Sequence, residues 1–197
     1  MRVCGVIAEF NPLHNAHAYV LSKASEIAPD GVVVILSGNF VQRGHPAVMD
    51  KWRRTEAALR CGADLVIELP AVFALAPAQR FALGGIALLH SMGVVTDLLF
   101  GAETDRLDTL TSVSHILEKE PPEFSGKIKE KLSLGVNYPT ARECALKELF
   151  PGGGNLLSTP NNILGVEYQR ALLRLSSPIR PHIVKRFGSG HHDMETA

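Results

Sequence analysis

The sequence predicts an α/β fold, a doubly wound parallel sheet, from three observations. Short apolar runs rich in β-branched residues recur at 3–8, 32–36, 65–69 and 94–100. None of them alternates with polar residues, which is how a strand buried on both faces reads, and parallel strands are buried in this way. Segments with helical apolar spacing lie between the runs, and such alternation closes into a parallel sheet through right-handed crossovers.

The elements follow in chain order. After the first strand, 3–8, helical spacing over 18–28 puts Leu21, Ala24 and Ala28 on one stripe, with the helix beginning near Asn15. The second strand, 32–36, leads to a helix over 51–61 that carries Trp52, Glu56 and Leu59 among basic residues. A third strand, 65–69, precedes a nearly all-apolar helix over 79–92, and a fourth strand covers 94–100. The spacing over 105–118 predicts another helix, stopped by Pro121 and Pro122, since proline cannot continue one. A charged segment, 127–132, and a helix over 140–149 make the region of about 105–150 a helical insertion. Residues 151–162 read as a glycine-rich loop, with Asn161 or Asn162 capping a helix through about Leu175. A last strand covers 179–187. The whole is a Rossmann-like arrangement.

Composition narrows the function classes. The chain has 197 residues, 46% of them apolar and 20% charged, the profile of one soluble globular domain. Lys plus Arg and Asp plus Glu number 20 each. That balance argues against a nucleic-acid grip by counterion release from this chain alone, which needs a surplus of cations on one face. Cys4, Cys61 and Cys144 are odd in number and form no C-x-x-C pair, so neither a disulfide framework nor a zinc knuckle is indicated and reduced thiols in a cytosol fit. The N-terminal residues lack a signal-peptide pattern, and no apolar run reaches the roughly 18 residues of a membrane span, so the expected place is the cytoplasm, with no membrane partner.

Polar or glycine-containing sequence follows each strand: Asn11 and Pro12 after the first, Ser37 to Gly44 after the second, Pro70 after the third, Gly101 to Asp105 after the fourth. Ligands of open α/β sheets sit outside the carboxyl ends of the strands, near the point where strand order reverses. These unusual residues therefore converge on one crevice. His14 and His17 stand where the first helix begins, beside free backbone N–H groups that attract anions. Imidazole donors there can hold a phosphoryl group as charge grows on it, and Asn11 and Asn15 can add donors or cap the helix.

Plainer readings stand beside these. H-x-x-H alone is more often surface or cap chemistry than a site, and no cluster of Cys, Asp or Glu nearby completes a metal shell, so no protein metal site is expected. The stretch SGNFVQRG also fits a simple turn, and Lys51, Arg53, Arg54 and Arg60 fit a solvated helix face. Gly101 fits a strand end, Asn161 a cap, Arg186 a surface ion pair, and Glu68 a buried, satisfied carboxylate. The three thiols fit packing positions.

The stretch GVIAEFNPLHNAH resembles the H-x-G-H phosphate motif of the nucleotidyltransferase superfamily, and in detail that of the tRNA(Met) cytidine acetate ligase family. SGNFVQRGHPAVMDKWRRTEAAL, GADLVIELP, FGAETD, PNNILGVEY and VKRFGSGHHD match the same family in the same order, over nearly the whole chain. The resemblance implies the HIGH-motif nucleotidyltransferase fold and a specific reaction. Acetate is adenylated by ATP with release of pyrophosphate, and the acetyl group passes to the N4 amine of the wobble cytidine of elongator tRNA(Met). It implies an ATP-contacting segment made of Ile7, Ala8, Glu9, Phe10, Asn11, Pro12, Leu13, His14, Asn15, Ala16, His17, Ala18, Tyr19 and Val20, joined by Gly101, Asn161 and Arg186. His14 and His17 are the implied catalytic residues, and Mg2+ is expected on the ATP phosphates. Ser37, Asn39, Gln42 and Arg43 are candidates for holding acetate.

Two departures from that pattern carry expectations. Ala16 replaces the usual glycine between the histidines, and its methyl is expected to crowd base or ribose and lower ATP affinity. The superfamily's second signature, a serine- and threonine-containing stretch ending in arginine, belongs after GSGHHD, so residues 1–197 are expected to be the catalytic domain, with the tRNA-binding part outside this chain and weak tRNA binding by this part alone. The alternatives are an adenylyltransferase acting on a small phosphorylated metabolite and a nucleotide- or RNA-binding module without catalysis.

Overall fold

The computed structural model describes residues 1–150 and 156–186. Its centre is a parallel five-stranded sheet formed by β1 (Val3–Ala8), β2 (Gly31–Ser37), β3 (Leu65–Leu69), β4 (Asp97–Ala102) and β5 (Arg180–Lys185), in the spatial order β3-β2-β1-β4-β5. β1 lies against β2 from Val3 beside Gly31 to Ala8 beside Leu36, and β4 lies against β5 from Asp97 beside Arg180 to Ala102 beside Lys185. Strand order reverses between β1 and β4, so the carboxyl ends of these two strands open a crevice. β1, β2 and β4 are almost wholly buried, whereas β3 and β5 form the partly exposed edges.

Alternation along the strands divides the core into two layers. On one face Cys4, Val6, Val32, Val34, Leu36 and Leu99 pack against α1 (Asn15–Ile27) through Leu21 and Ala24, and against α2 (Lys51–Arg60) through Ala58. On the other face lie Ile7, Val33, Ile35, Leu98 and Phe100. That face is covered through Phe81, Ile86 and Leu89 of α4 (Ala78–Ser91), which the short α3 (Ala71–Ala74) precedes. Leu110, Val113 and Leu117 of α5 (Leu107–Lys119), together with Val166 and Leu172 of α8 (Pro160–Arg174), complete the layer. Helices on both faces make the sheet doubly wound. α6 (Pro122–Ser133) and α7 (Tyr138–Leu149) pair with each other, so the region of 105–150 is helical, and its first helix lies within the core.

α4 sits close because two glycines face apolar side chains. A Cβ on Gly5 would come 2.6 Å from Leu89 Cδ1, and one on Gly85 would come 2.6 Å from Ile7 Cδ1. Gly85→Val is expected to lower the unfolding free energy by about 1–3 kcal/mol through overpacking, more than the few tenths regained in helix propensity. Urea denaturation reads this directly; an unchanged midpoint would show that the layer yields.

Several boundaries differ from the sequence reading, each for a physical reason. The fourth strand begins at Asp97, not Val94: Val94 is exposed, and the first bonds that tie the segment to its neighbours run from the Thr96 N–H to the Val3 carbonyl and from the Arg180 N–H to the Thr96 carbonyl. Pro121 and Pro122 do end α5, whose C-cap Glu120 is left-handed at φ 41°, but Pro122 then opens α6 and the charged segment 127–132 lies inside it. Proline is favoured in a first turn, where its missing N–H has no partner anyway. Asn161 and Asn162 are not N-caps: α8 begins at Pro160, with Thr159 at the cap position. Trp52 and Leu59 of α2 face solvent, and Arg54 is turned inward instead. Residues 151–155 of the glycine-rich loop, and Phe187 together with GSGHHD, lie outside the described residues. No helix among the described residues is long and apolar enough to cross a membrane.

Candidate functional site

The crevice at the carboxyl ends of β1 and β4 is a cavity of about 840 Å³, within the size range of small-ligand sites. Every residue from Ile7 to Val20 lines it except Leu13 and Ala18, and Gly101, Asn161 and Arg186 line it as well. Leu13 packs instead against the core layer beneath α1. Ala16 is exposed at the cavity, in the first turn of α1. Residues separated by more than 160 positions thus share one wall, because β5 lies beside β4 and β4 beside β1.

The start of α1 fixes both imidazoles. His14 occupies the N-cap position and its backbone N–H donates to His17 Nδ1 at 3.3 Å, while the His17 N–H donates to the His14 carbonyl at 2.8 Å. The rings stack with centroids 3.8 Å apart, and His17 also lies against Phe10 at 5.0 Å. Since Nδ1 of His17 accepts, the proton of the neutral ring belongs to Nε2. Burial lowers the His17 pKa to about 4, assisted by the neighbouring His14 and Arg186 charges. Burial and then Arg186 lower His14 as well. Both rings are therefore neutral donors at physiological pH, and the cations beside them are Arg186 and Lys185, the latter paired with Asp105 at 3.1 Å.

Arg186 is placed from two sides. Its aliphatic stem passes over Gly101, where a Cβ would meet Arg186 Cγ at 3.3 Å, and its Nη1 donates to Asn161 Oδ1 at 3.1 Å. Asn161 is thus a cavity residue with a polar partner, not a helix cap.

The segment that follows β2 also lines the cavity, through Val41, Gln42, Arg43 and His45. The Gln42 N–H donates to Glu9 Oε1 at 2.6 Å and the Val48 N–H donates to Asn11 Oδ1 at 2.6 Å, so the first strand's exit loop pins the second's. Of the four acetate candidates, Gln42 and Arg43 line the cavity; Ser37 is buried beneath it, and Asn39 accepts the Lys51 N–H. Glu68 is exposed and paired with Lys51 at 2.6 Å, so it is not a buried carboxylate.

Two residues escaped the sequence reading. Arg54 is 1% exposed, and its guanidinium donates to the carbonyls of Glu9, Ser37, Gly38 and Met49, tying the ends of β1 and β2 to the start of α2. The signal available was its i, i+4 relation to Ala58, which puts it on the apolar stripe of an otherwise basic helix. Tyr168 lines the cavity from α8 and packs on Phe100 at 5.4 Å; burial and the Glu9 charge push its phenol up, leaving a neutral hydroxyl.

Among the described residues no group of three or more His, Cys, Asp or Glu side chains is gathered as for a metal ion. The carboxylate in the cavity lining, Glu9, already accepts the Gln42 N–H. Among the described residues the lining therefore offers no set of carboxylates or thiolates to complete a metal shell.

The family described as HIGH Nucleotidyl Transferase matches residues 1–197. The tRNA(Met) cytidine acetate ligase of Clostridium novyi (strain NT) is 48% identical over 197 residues, covering 98% of this chain and 49% of that protein. The protein of the same name from Fervidobacterium nodosum is 45% identical over 194 residues, covering 98% and 46%. The crystal structure of Thermotoga maritima TmcAL bound with alpha-thio ATP superposes with a TM-score of 0.89 at 44% identity, over 95% of this chain and 47% of that one. Its apo form I gives 0.93 at 42% identity, over 100% and 48%. The chain spans about half the length of the relatives it matches.

Proposed function

Because the chain belongs to the HIGH nucleotidyl transferase family, we propose that it forms the catalytic domain of an ATP-dependent tRNA(Met) cytidine acetate ligase. One observation carries the reading: His14, His17, Gly101, Asn161 and Arg186 share a single cavity at the carboxyl edge of the sheet. The relatives' names and the nucleotide analogue in the Thermotoga structure support it.

ATP lies with its phosphates at the start of α1. There the backbone N–H groups and the two neutral imidazoles donate to phosphate oxygens, and Arg186 balances charge on the departing pyrophosphate. Acetate oxygen attacks the α-phosphorus in line with the leaving group. The P–O bond to pyrophosphate breaks as the bond to acetate forms, giving acetyladenylate. The N4 amine of the wobble cytidine of elongator tRNA(Met) then attacks the acetyl carbonyl, AMP leaves, and the amine loses a proton. Most of the rate gain comes from alignment and charge stabilisation. Magnesium arrives on the triphosphate as part of the substrate, with water as most of its shell.

Gln42 and Arg43, the two of the four candidates that line the cavity, are the residues we assign to acetate. The tRNA-gripping part is assigned to the half of the relatives that this chain does not span, in keeping with its zero net charge. The free thiols suit the cytoplasm.

The test is exchange of labelled pyrophosphate into ATP. The expected result is exchange that requires acetate; exchange driven by a phosphorylated metabolite and not by acetate would replace this reading with adenylyl transfer.

A further inference from the structure

Glu103, just past the end of β4, does not line the cavity, yet its carboxylate is fully engaged beside it. Oε1 accepts from Asn161 Nδ2 at 2.7 Å and from the Asn161 N–H at 3.4 Å, and Oε2 accepts from the Asn162 N–H at 2.8 Å. The clasp is reciprocal: Asn162 Oδ1 accepts from the N–H groups of Glu103 at 3.0 Å and Thr104 at 3.1 Å. Glu103 therefore satisfies first-turn donors of α8 from a different element, which is why Thr159 at the cap position is not needed for it. The donors hold its pKa below the ordinary carboxylate value, against the opposing effect of burial, so the group stays ionised.

The consequence lies one residue further out. The two hydrogens of the Asn161 amide belong to its nitrogen, and that nitrogen is held by Glu103. The amide oxygen must then face the other way, and it accepts from Arg186 Nη1 at 3.1 Å. A flipped amide would set NH2 against a guanidinium, donor against donor. We infer that Glu103 is a positioning residue for nucleotide binding: by fixing the orientation of the Asn161 amide it holds the Arg186 guanidinium toward the phosphates. The inference rests on the reading of the cavity as a nucleoside triphosphate site.

Glu103→Gln tests it, because the change keeps the size but sets an amide NH2 against donors. The dissociation constant of ATP is expected to rise about tenfold, the scale of a lost charged hydrogen bond, while that of adenosine, which has no phosphate, stays within about twofold. In an Arg186→Ala background the same change is expected to leave ATP binding unaltered. An equal loss for ATP and adenosine, a full additional loss in the Arg186→Ala background, or unchanged ATP binding would each overturn the inference. Should Glu103→Gln fail to fold, Glu103→Asp carries the same comparison, since the shorter side chain keeps the charge while drawing the carboxylate back from the Asn161 amide. A wild-type chain that binds adenosine and ATP equally would overturn the triphosphate reading itself, an outcome distinct from the others.

Discussion

Arg54→Met is expected to lower the unfolding free energy by about 3–5 kcal/mol, the largest loss of stability for a single change here. The guanidinium serves four backbone carbonyls, on Glu9, Ser37, Gly38 and Met49. A buried acceptor left without a partner costs about 1–3 kcal/mol, and water cannot reach all four. Arg54→Lys should lose less in total but still substantially, because an ammonium is a point donor and cannot span carbonyls from three segments. Urea denaturation measures both. A loss under about 1 kcal/mol for Arg54→Met would mean that water replaces the guanidinium. The site should suffer along with the fold, since Phe10, next to the clamped Glu9 carbonyl, holds a left-handed backbone at φ 46° and is 1% exposed. A bulky side chain adopts that region only where its surroundings force it to.

His17→Ala is expected to reduce acetate-dependent pyrophosphate exchange by about 10²- to 10³-fold, the usual cost of removing one donor aimed at developing charge. The melting temperature separates this from a folding defect, and an exchange rate within a few-fold of wild type would move the chemistry away from α1. The same ring gives a pH signature in stability. Its folded pKa of about 4 lies below the ordinary histidine value of about 6.5. Between those values the unfolded chain binds the proton and the folded chain does not, so stability falls as pH is lowered from about 6.5 toward 4 and is flat for this group below that. The wild type should lose more stability across that window than His17→Asn does.

How much of this could be read from residues alone depended on whether the interaction was local. The β-branched runs at 3–8 and 65–69 match the ends of β1 and β3, because polar residues or glycine break the apolar pattern at those places. The helical spacing over 18–28 marks the body of α1, which begins three residues earlier at Asn15 and so puts His14 at its N-cap and His17 in its first turn. α6 escapes the local pattern because a Pro-Pro pair marks both the end of one helix and the beginning of the next, and only packing of Phe124 and Ile128 decides which. Arg54 reads as a solvated cation because its carbonyl partners come from three segments that no short window brings together. Gly101 stands at a strand end that the local pattern already sends to the crevice, whereas Asn161 and Arg186 read locally as a cap and a surface ion pair; resemblance to a known family gives all three a nucleotide role, and the strand order β3-β2-β1-β4-β5 explains why they meet the histidines. Glu103 shows the same limit, since its role depends on the Asn161 amide 58 positions away.

That strand order also fixes when the cavity can exist. β5 carries Val184 and Lys185 to the wall, with Arg186 just beyond, yet the strand it pairs with ends at Ala102, and among the described residues four helices, α5 to α8, lie in between. Closing so long an interval is entropically slow compared with forming a helix or a neighbouring crossover. During synthesis on the ribosome the imidazoles emerge first and the guanidinium last. On the proposed reading, a nascent chain cannot hold a nucleotide's phosphates between the histidines and Arg186 until this edge strand has docked.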